Sequence, residues 1–195
     1  MQQQTRAMLF GLGAVLCWST VATAFKLSLN YLQPAQLMLV AASTALLFFL
    51  GLLIYQGRLQ RLWQQTPATY LRSLGYGAMN PLLYYLVLFS AYDRLPAQEA
   101  QVLNYSWAIV LSLLAVPMLK QAMHKADYLA AILCYAGVWV IATRGDVFAL
   151  QFENGVGVLL ALCSTVIWAL YWIANRRDQR EPVLGLCLNF LFAVP

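Results

Sequence analysis

The chain has 195 residues, 62% hydrophobic and 10% charged, with a net charge of +5 and a mean hydropathy of +0.67. Soluble domains are about half apolar and about a quarter charged, so this composition excludes a soluble domain and describes a polytopic membrane protein. The basic residues lie in short stretches between apolar runs and form no single patch, which excludes a nucleic-acid partner and turns the charge into a topology signal.

A span needs about 20 apolar residues, and on that measure the chain divides into segments 8–29, 34–56, 72–92, 97–118, 127–144 and 156–175, with 183–195 an incomplete seventh. Arg6, the apolar run from Met8 and the triplet Ala22-Thr23-Ala24 imitate a cleaved signal peptide, but the run continues to Leu29 and more spans follow. Residues 8–29 are therefore expected as a retained helix. Pro34, Pro96 and Pro182 sit at or just before span starts, where proline is tolerated, and Pro67 falls in the second loop. Asn80-Pro81 lies inside the third span and predicts a kink. Arg6, Arg58, Arg61, Arg72, Lys120, Lys125, Arg176, Arg177 and Arg180 fall on one side; only Lys26, Arg94 and Arg144 fall on the other, with Asp93, Asp146 and Glu153. The bias places the N-terminus in the cytoplasm. Cys17, Cys134, Cys163 and Cys187 lie within apolar segments at no metal spacing and are expected as buried, packed thiols. His124 is in a loop beside Lys120 and Lys125. No cofactor or metal is implied.

The fourth span carries Gln98, Gln101, Asn104, Tyr105 and Ser112, which at about 100° per residue share roughly a third of a helix circumference. Facing lipid, unpaired amides and hydroxyls cost on the order of one to a few kcal/mol each, so this face is expected to meet other helices or a watery cavity. The first span has a stripe of Ser19, Thr23 and Lys26; the third has Ser73, Tyr76, Asn80 and Tyr84; the sixth has Ser164, Trp168, Tyr171, Trp172 and Asn175. The second and fifth spans are plain. Four striped helices around a shared interior, shielded by two plain ones, is the expected arrangement. Ser and Thr bonding back to their own helices, and aromatic residues anchoring at the interface, is the competing account; it covers Tyr31, Tyr55, Trp63 and Tyr70.

An offset of 150 residues places Trp18 on Trp168, Ala24 on Ala174 and Lys26 on Arg176. A repeat of five spans is odd in number, so the second copy enters the membrane from the opposite side, and inverted repeats with a midplane site are a transporter architecture.

At these residues the chain resembles the drug/metabolite transporter superfamily, in its EamA-type branch. GLGAVLCWSTVATAFK looks like the opening helix, with Trp18 followed by the small Ser19, and ALCSTVIWALYWIANRR looks like the opening of the second repeat. EAQVLNYSW, with Glu99, Asn104, Tyr105 and Trp107, is similar to the bacterial aromatic amino acid exporters of that superfamily; their form has proline directly after the tryptophan, where this chain has Ala108. The resemblance implies an all-α polytopic fold of two inverted five-helix repeats, ten helices when complete, in the bacterial inner membrane. Residues 1–148 would be the first repeat and 149–195 the truncated start of the second. The chain stops about 13 residues into the seventh span, too short to cross a core about 30 Å thick, so the expectation is a fragment of a protein of roughly 300 residues.

The function expected is export of small metabolites such as amino acids by alternating access, with membrane lipid and a small-molecule substrate as partners and no oligomeric state assigned. Tyr84, Tyr105, Trp168, Tyr171 and Trp172 would form flat apolar walls, and Asn80, Gln101 and Asn104 would hold amino or carboxyl groups. Trp18 and Ser19 join this substrate-binding set. Lys26, Arg94 and Glu99 are open to either a structural or a gating and coupling role, since an acid such as Glu99 is also favoured at a helix N-terminus. Paired carboxylates, a His cluster or an activated Ser are missing from the spans, so no enzyme is expected. A non-transporting scaffold or a defective truncated fragment is the alternative.

Overall fold

In hydrocarbon, backbone N–H and C=O groups have no water to bond, so apolar runs satisfy their own backbones as helices. The computed structural model describes residues 2–143, 145–148 and 154–194, and the regular structure there is helical. In chain order the helices are α1 (Gln2–Leu29), α2 (Pro34–Tyr55), α3 (Pro67–Gly77), α4 (Tyr84–Arg94), α5 (Ala97–Tyr105), α6 (Trp107–Leu119), α7 (Lys125–Ala142), α8 (Gly155–Asn175) and α9 (Pro182–Ala193). Among the described residues five stretches are long and apolar enough to cross a membrane: Gln4–Leu29, Pro34–Tyr55, Ala97–Leu119, Lys125–Ala142 and Gly155–Asn175. Arg144 and Glu153, counted on the outer side, and the start of the second repeat at 149 lie outside the described residues.

The third expected span differs from the rest. It starts earlier than expected, at Pro67, because Thr66 caps the helix by accepting from the Thr69 N–H at 3.3 Å; Pro67 opens α3 and does not lie in a loop. The Asn80-Pro81 kink is present. Residues Ala78–Leu83 wind in a wider π-type turn, and Asn80 leaves helical geometry altogether at φ −147°, ψ 117°. α3 and α4 are thus two half-helices joined at a break in the apolar layer. In the fourth span α5 passes into α6 at Ser106, whose hydroxyl donates to the Leu103 carbonyl at 2.7 Å.

α8 is the hub. Its buried residues Gly157, Val158, Ala161, Ser164, Thr165 and Ala169 recur at three- and four-residue spacing, and the small side chains among them admit close neighbours. Against this face pack Tyr84, Leu88, Ala91 and Tyr92 of α4 and Ala100 and Leu103 of α5. α9 lies between α2 and α3, where Leu53, Leu62, Leu184, Cys187 and Leu188 form a second core.

The expected ring of striped helices needs correcting at α1. Residues 4–20 are exposed, and only Ala22, Phe25 and Leu29, toward its end, join the core. α9 enters the interior instead, with Asn189 buried. The plain α2 is engaged through Leu37, Met38, Ala42 and Leu53, whereas α7 is exposed over most of its surface. Of the four cysteines only Cys187 is buried; Cys17, Cys134 and Cys163 lie on outward faces, where a thiol is apolar enough to meet lipid. The Tyr70 hydroxyl donates to the Leu62 carbonyl at 2.6 Å, tying the start of α3 to the preceding connection.

α3 and α9 come into close contact at Gly77. A Cβ there would fall inside the van der Waals envelope of the Asn189 carbonyl oxygen and 3.2 Å from its carbon. Backbone cannot yield as a side-chain tip can, so Gly77→Ala is expected to destabilise by about 1–3 kcal/mol. Gly137, whose Cβ would meet nothing within 4 Å, is the matched control. Thermal unfolding of both purified variants checks this: a fall in Tm for the first and none for the second.

Candidate functional site

Where α4, α5 and α8 meet, three polar side chains find one another. The Tyr84 hydroxyl donates to Asn104 Oδ1 at 3.4 Å, the Asn104 amide donates to Ser164 Oγ at 2.9 Å, and Ser164 donates to the Ala161 carbonyl at 2.6 Å. All three residues are buried. At 1.5 Å per residue they lie about 10–15 Å from the helix ends at Arg94, Ala97 and Gly155, a depth near the middle of a core about 30 Å thick.

Aromatic rings lead away from this triad. Trp168 stacks on Tyr84 at 4.4 Å and on Tyr171 at 5.8 Å, with interplanar angles of 28° and 29°. Trp107 and Trp172 meet Trp168 edge-on at 6.4 and 6.0 Å. Tyr76 meets Tyr171 edge-on at 6.1 Å and donates its hydroxyl to the Ala174 carbonyl at 2.9 Å. Asn80, at the break between α3 and α4, has its Oδ1 buried with no hydrogen-bond partner among the described residues.

The column ends at Arg180, which the sequence placed among the topology charges. Its guanidinium is inserted between α3 and α9. Nε donates to both Asp178 carboxylate oxygens at 2.9 and 2.8 Å and Nη2 to Oδ2 at 2.6 Å. Nη2 also donates to Asn189 Oδ1 at 3.3 Å, Nη1 donates to Ser73 Oγ, and the group lies 5.4 Å from the Tyr76 ring centroid. The Arg180 and Asp178 side chains are only 11% and 9% exposed. Burial pushes the Asp178 carboxyl up, but hydrogen bonds and charge from Arg180, with Arg72 adding, win and hold it below the usual carboxylate range. A depressed carboxyl contributes stability above its unfolded pKa and loses it as pH falls through the folded value, so the pair is intact at neutral pH.

At the opposite end Lys26 closes the terminus of α4. Its ammonium donates to the carbonyls of Tyr92 at 2.7 Å, Leu95 at 3.0 Å and Asp93 at 3.3 Å. These are carbonyls that a helix end leaves without internal partners, and a cation there also meets the negative end of the dipole. Arg94 donates to the Ser90 carbonyl at 2.8 Å and lies 3.9 Å from Asp93. Glu99 is half-buried in the first turn of α5.

Of the expected binding residues, Tyr84, Asn104, Trp168, Tyr171 and Trp172 come together, with Asn80 in the break beside them. Gln101 and Tyr105 form a separate pair at 3.2 Å, with Tyr105 half-exposed. Ser112, from the same stripe, is exposed and bonds back to the Ala108 carbonyl at 2.9 Å. It helps line an open groove of about 410 Å³ with Ala115, Trp172, Asn175 and Arg176. Trp18 and Ser19 are not brought to the site: Trp18 is exposed, and Ser19 bonds back to the Leu16 carbonyl at 2.7 Å. Ser73, Asp178, Arg180 and Asn189 were missed as a set. The spacing Asp178-x-Arg180 beside a helix start was the available signal. Among the described residues no His, Cys, Asp and Glu group could hold a metal ion.

The profile of the EamA-like transporter family matches residues 5–143. The chain belongs to that family. It is also similar to the aromatic amino acid exporter YddG of Ancylobacter novellus, with 30% identity over 193 residues. The alignment covers 95% of this chain and 64% of that exporter, so the chain spans a little under two-thirds of the relative's length. No solved structure matches. EamA membership and the apolar helices together make this a multi-pass membrane protein of a transporter family.

Lys26→Met removes the cap from α4 while keeping the length of the side chain. With hydrogen bonds to charged groups worth about 1.5–3 kcal/mol, the variant is expected to unfold at lower temperature in detergent, and Lys26→Arg to recover most of the loss. An unchanged Tm in the methionine variant would remove the capping role.

Proposed function

We propose that the protein exports small amphipathic metabolites, aromatic amino acids foremost, across the bacterial inner membrane by alternating access. The observation that carries this reading is the stack Tyr84–Trp168–Tyr171, which ends on the buried Asn104–Ser164 pair at mid-depth. Flat rings favour flat solutes, since offset stacking contributes about 0.5–1.5 kcal/mol beyond area burial. The amides of Asn104 and Asn80 would hold the polar head, and Trp172, Gln101 and Tyr105 would extend the wall toward the open side. The exporter YddG supports the substrate class.

Residues 1–148 act in this reading as a first five-helix repeat and 149–195 as the start of an inverted second, one rocking against the other. The broken third span is where such motion would be taken up, since a π-type turn and a non-helical Asn80 already interrupt the helix. The N-terminus and the Arg180 end face the cytoplasm, as the distribution of Lys and Arg directs. Lys26, Arg94 and Glu99 stand at the outer end, where a gate would close. Trp18 and Ser19 would serve the site only if α1 turned its exposed face to a further element.

Efflux of labelled phenylalanine from cells expressing the protein tests the reading. Asn104→Leu is expected to lower efflux roughly twofold to tenfold, the worth of one hydrogen bond, and Trp168→Ala to lower it further, at equal abundance in the membrane. Efflux equal to that of the parent in both variants contradicts the binding site, and parent efflux no greater than that of cells lacking the protein leaves a non-transporting scaffold.

A further inference from the structure

We propose that Arg180 is a carboxylate-binding site at the near end of the aromatic column, and that Asp178 occupies it as an internal stand-in until a solute carboxylate takes its place. The proposal rests on the transport reading above and names the part of the solute recognised first.

Three arginines follow α8 in close succession, and they behave differently. Arg176 and Arg177 are exposed, and Arg177 reaches outward to the Met118 carbonyl at 3.4 Å. Arg180 alone is folded inward, to 11% exposure. It is held from the far side by Ser73 of α3, Asn189 of α9 and the Tyr76 ring. Those three partners come from two helices, α3 and α9, and none of them carries a charge.

Asp178 is a different kind of partner. It lies two residues away in the same connection, so its ion pair ties no helix to another. What it supplies is charge, because a buried guanidinium without a counter-ion is strongly disfavoured. A free carboxylate has the same charge and the same two-oxygen match to the guanidinium fork. The two anions therefore compete for Nε and Nη2, and Asp178 can swing out on its short connection without unthreading a helix.

The neighbours define the rest of the ligand. Tyr76, 5.4 Å from the guanidinium, leads to Tyr171 and then Trp168. A carboxylate seated on Arg180 places an attached ring against this wall. An aromatic amine lacking the carboxylate meets a cation at the same place and gains nothing there. The site thus selects aromatic carboxylic acids, amino acids among them, over aromatic amines of the same shape.

Competition and mere charge neutralisation predict opposite outcomes for Asp178→Asn. Binding of labelled phenylalanine and of phenethylamine, its decarboxylated analogue, is measured by equilibrium dialysis on the detergent-solubilised protein. Asp178→Asn is expected to tighten phenylalanine on the order of tenfold, the worth of one charge-assisted hydrogen bond, and to leave phenethylamine unchanged. Arg180→Lys keeps the charge but loses the fork, and is expected to lose most of the preference for phenylalanine over phenethylamine. Asp178→Ser is read in the same way if Asp178→Asn does not stay monodisperse. Unchanged or weaker phenylalanine binding in the Asp178 variant overturns the site, as does a full preference retained in Arg180→Lys. Equal binding of both compounds to the parent protein also overturns it while leaving the column as a binding path. Binding of neither compound removes the proposed function together with this site.

Discussion

A polar side chain in the middle of a bilayer must find its partner within the protein, and the rest of the bundle is arranged around one place where that happens. Asn104 is shared between the Tyr84 hydroxyl and Ser164 Oγ. Interhelical hydrogen bonds in membranes contribute only about 0.6 kcal/mol on average, whereas an unsatisfied group in hydrocarbon costs several. The larger penalty decides the packing. It does not reward the triad strongly, but it forbids any arrangement in which α4, α5 and α8 separate and leave the amide to lipid.

From that constraint the roles of the other elements follow. α8 carries small residues along one side, so α4 and α5 approach closely enough for a tyrosine, an amide and a serine to meet. The same helix carries Trp168 and Tyr171 farther along, and the rings fill the space that opens as the small residues end. The half-helices α3 and α4 meet at Asn80, where the backbone departs from helical geometry. Cations close both ends: Lys26 on the carbonyls of α4, and Arg180 between α3 and α9. The interior is therefore polar at its ends and middle and aromatic between, which suits a solute with a charged head and a flat body.

Much of this was legible in the sequence, because in a membrane chain a polar residue inside an apolar run is expensive enough to be informative. The stripes of the third, fourth and sixth spans pointed to Asn104, Tyr84 and Trp168, and Asn80-Pro81 marked the break. The same reasoning failed for Ser19 and Ser112, whose hydroxyls bond back to carbonyls three and four residues earlier and need no interior. Trp18 was chosen by its offset from Trp168, and an offset carries no information about which face of α1 is covered. Arg180 was hidden for the opposite reason. Arginines beyond a span end serve topology so often that one folded back into the bundle has no periodic signature, and its partners Ser73 and Asn189 lie 107 and 9 residues away.

The whole arrangement requires that Trp168 face the protein interior and not the acyl chains. Fluorescence quenching by lipids brominated in mid-chain reads this directly. The protein would carry Trp168 as its only tryptophan, reconstituted in such vesicles. A second protein lacking all six native tryptophans would carry Leu133→Trp instead, on the outward face of α7. Interior packing predicts weak quenching for Trp168 and strong quenching for the α7 reporter; equal, strong quenching of both would place the indole in lipid and contradict the convergence on which the site depends.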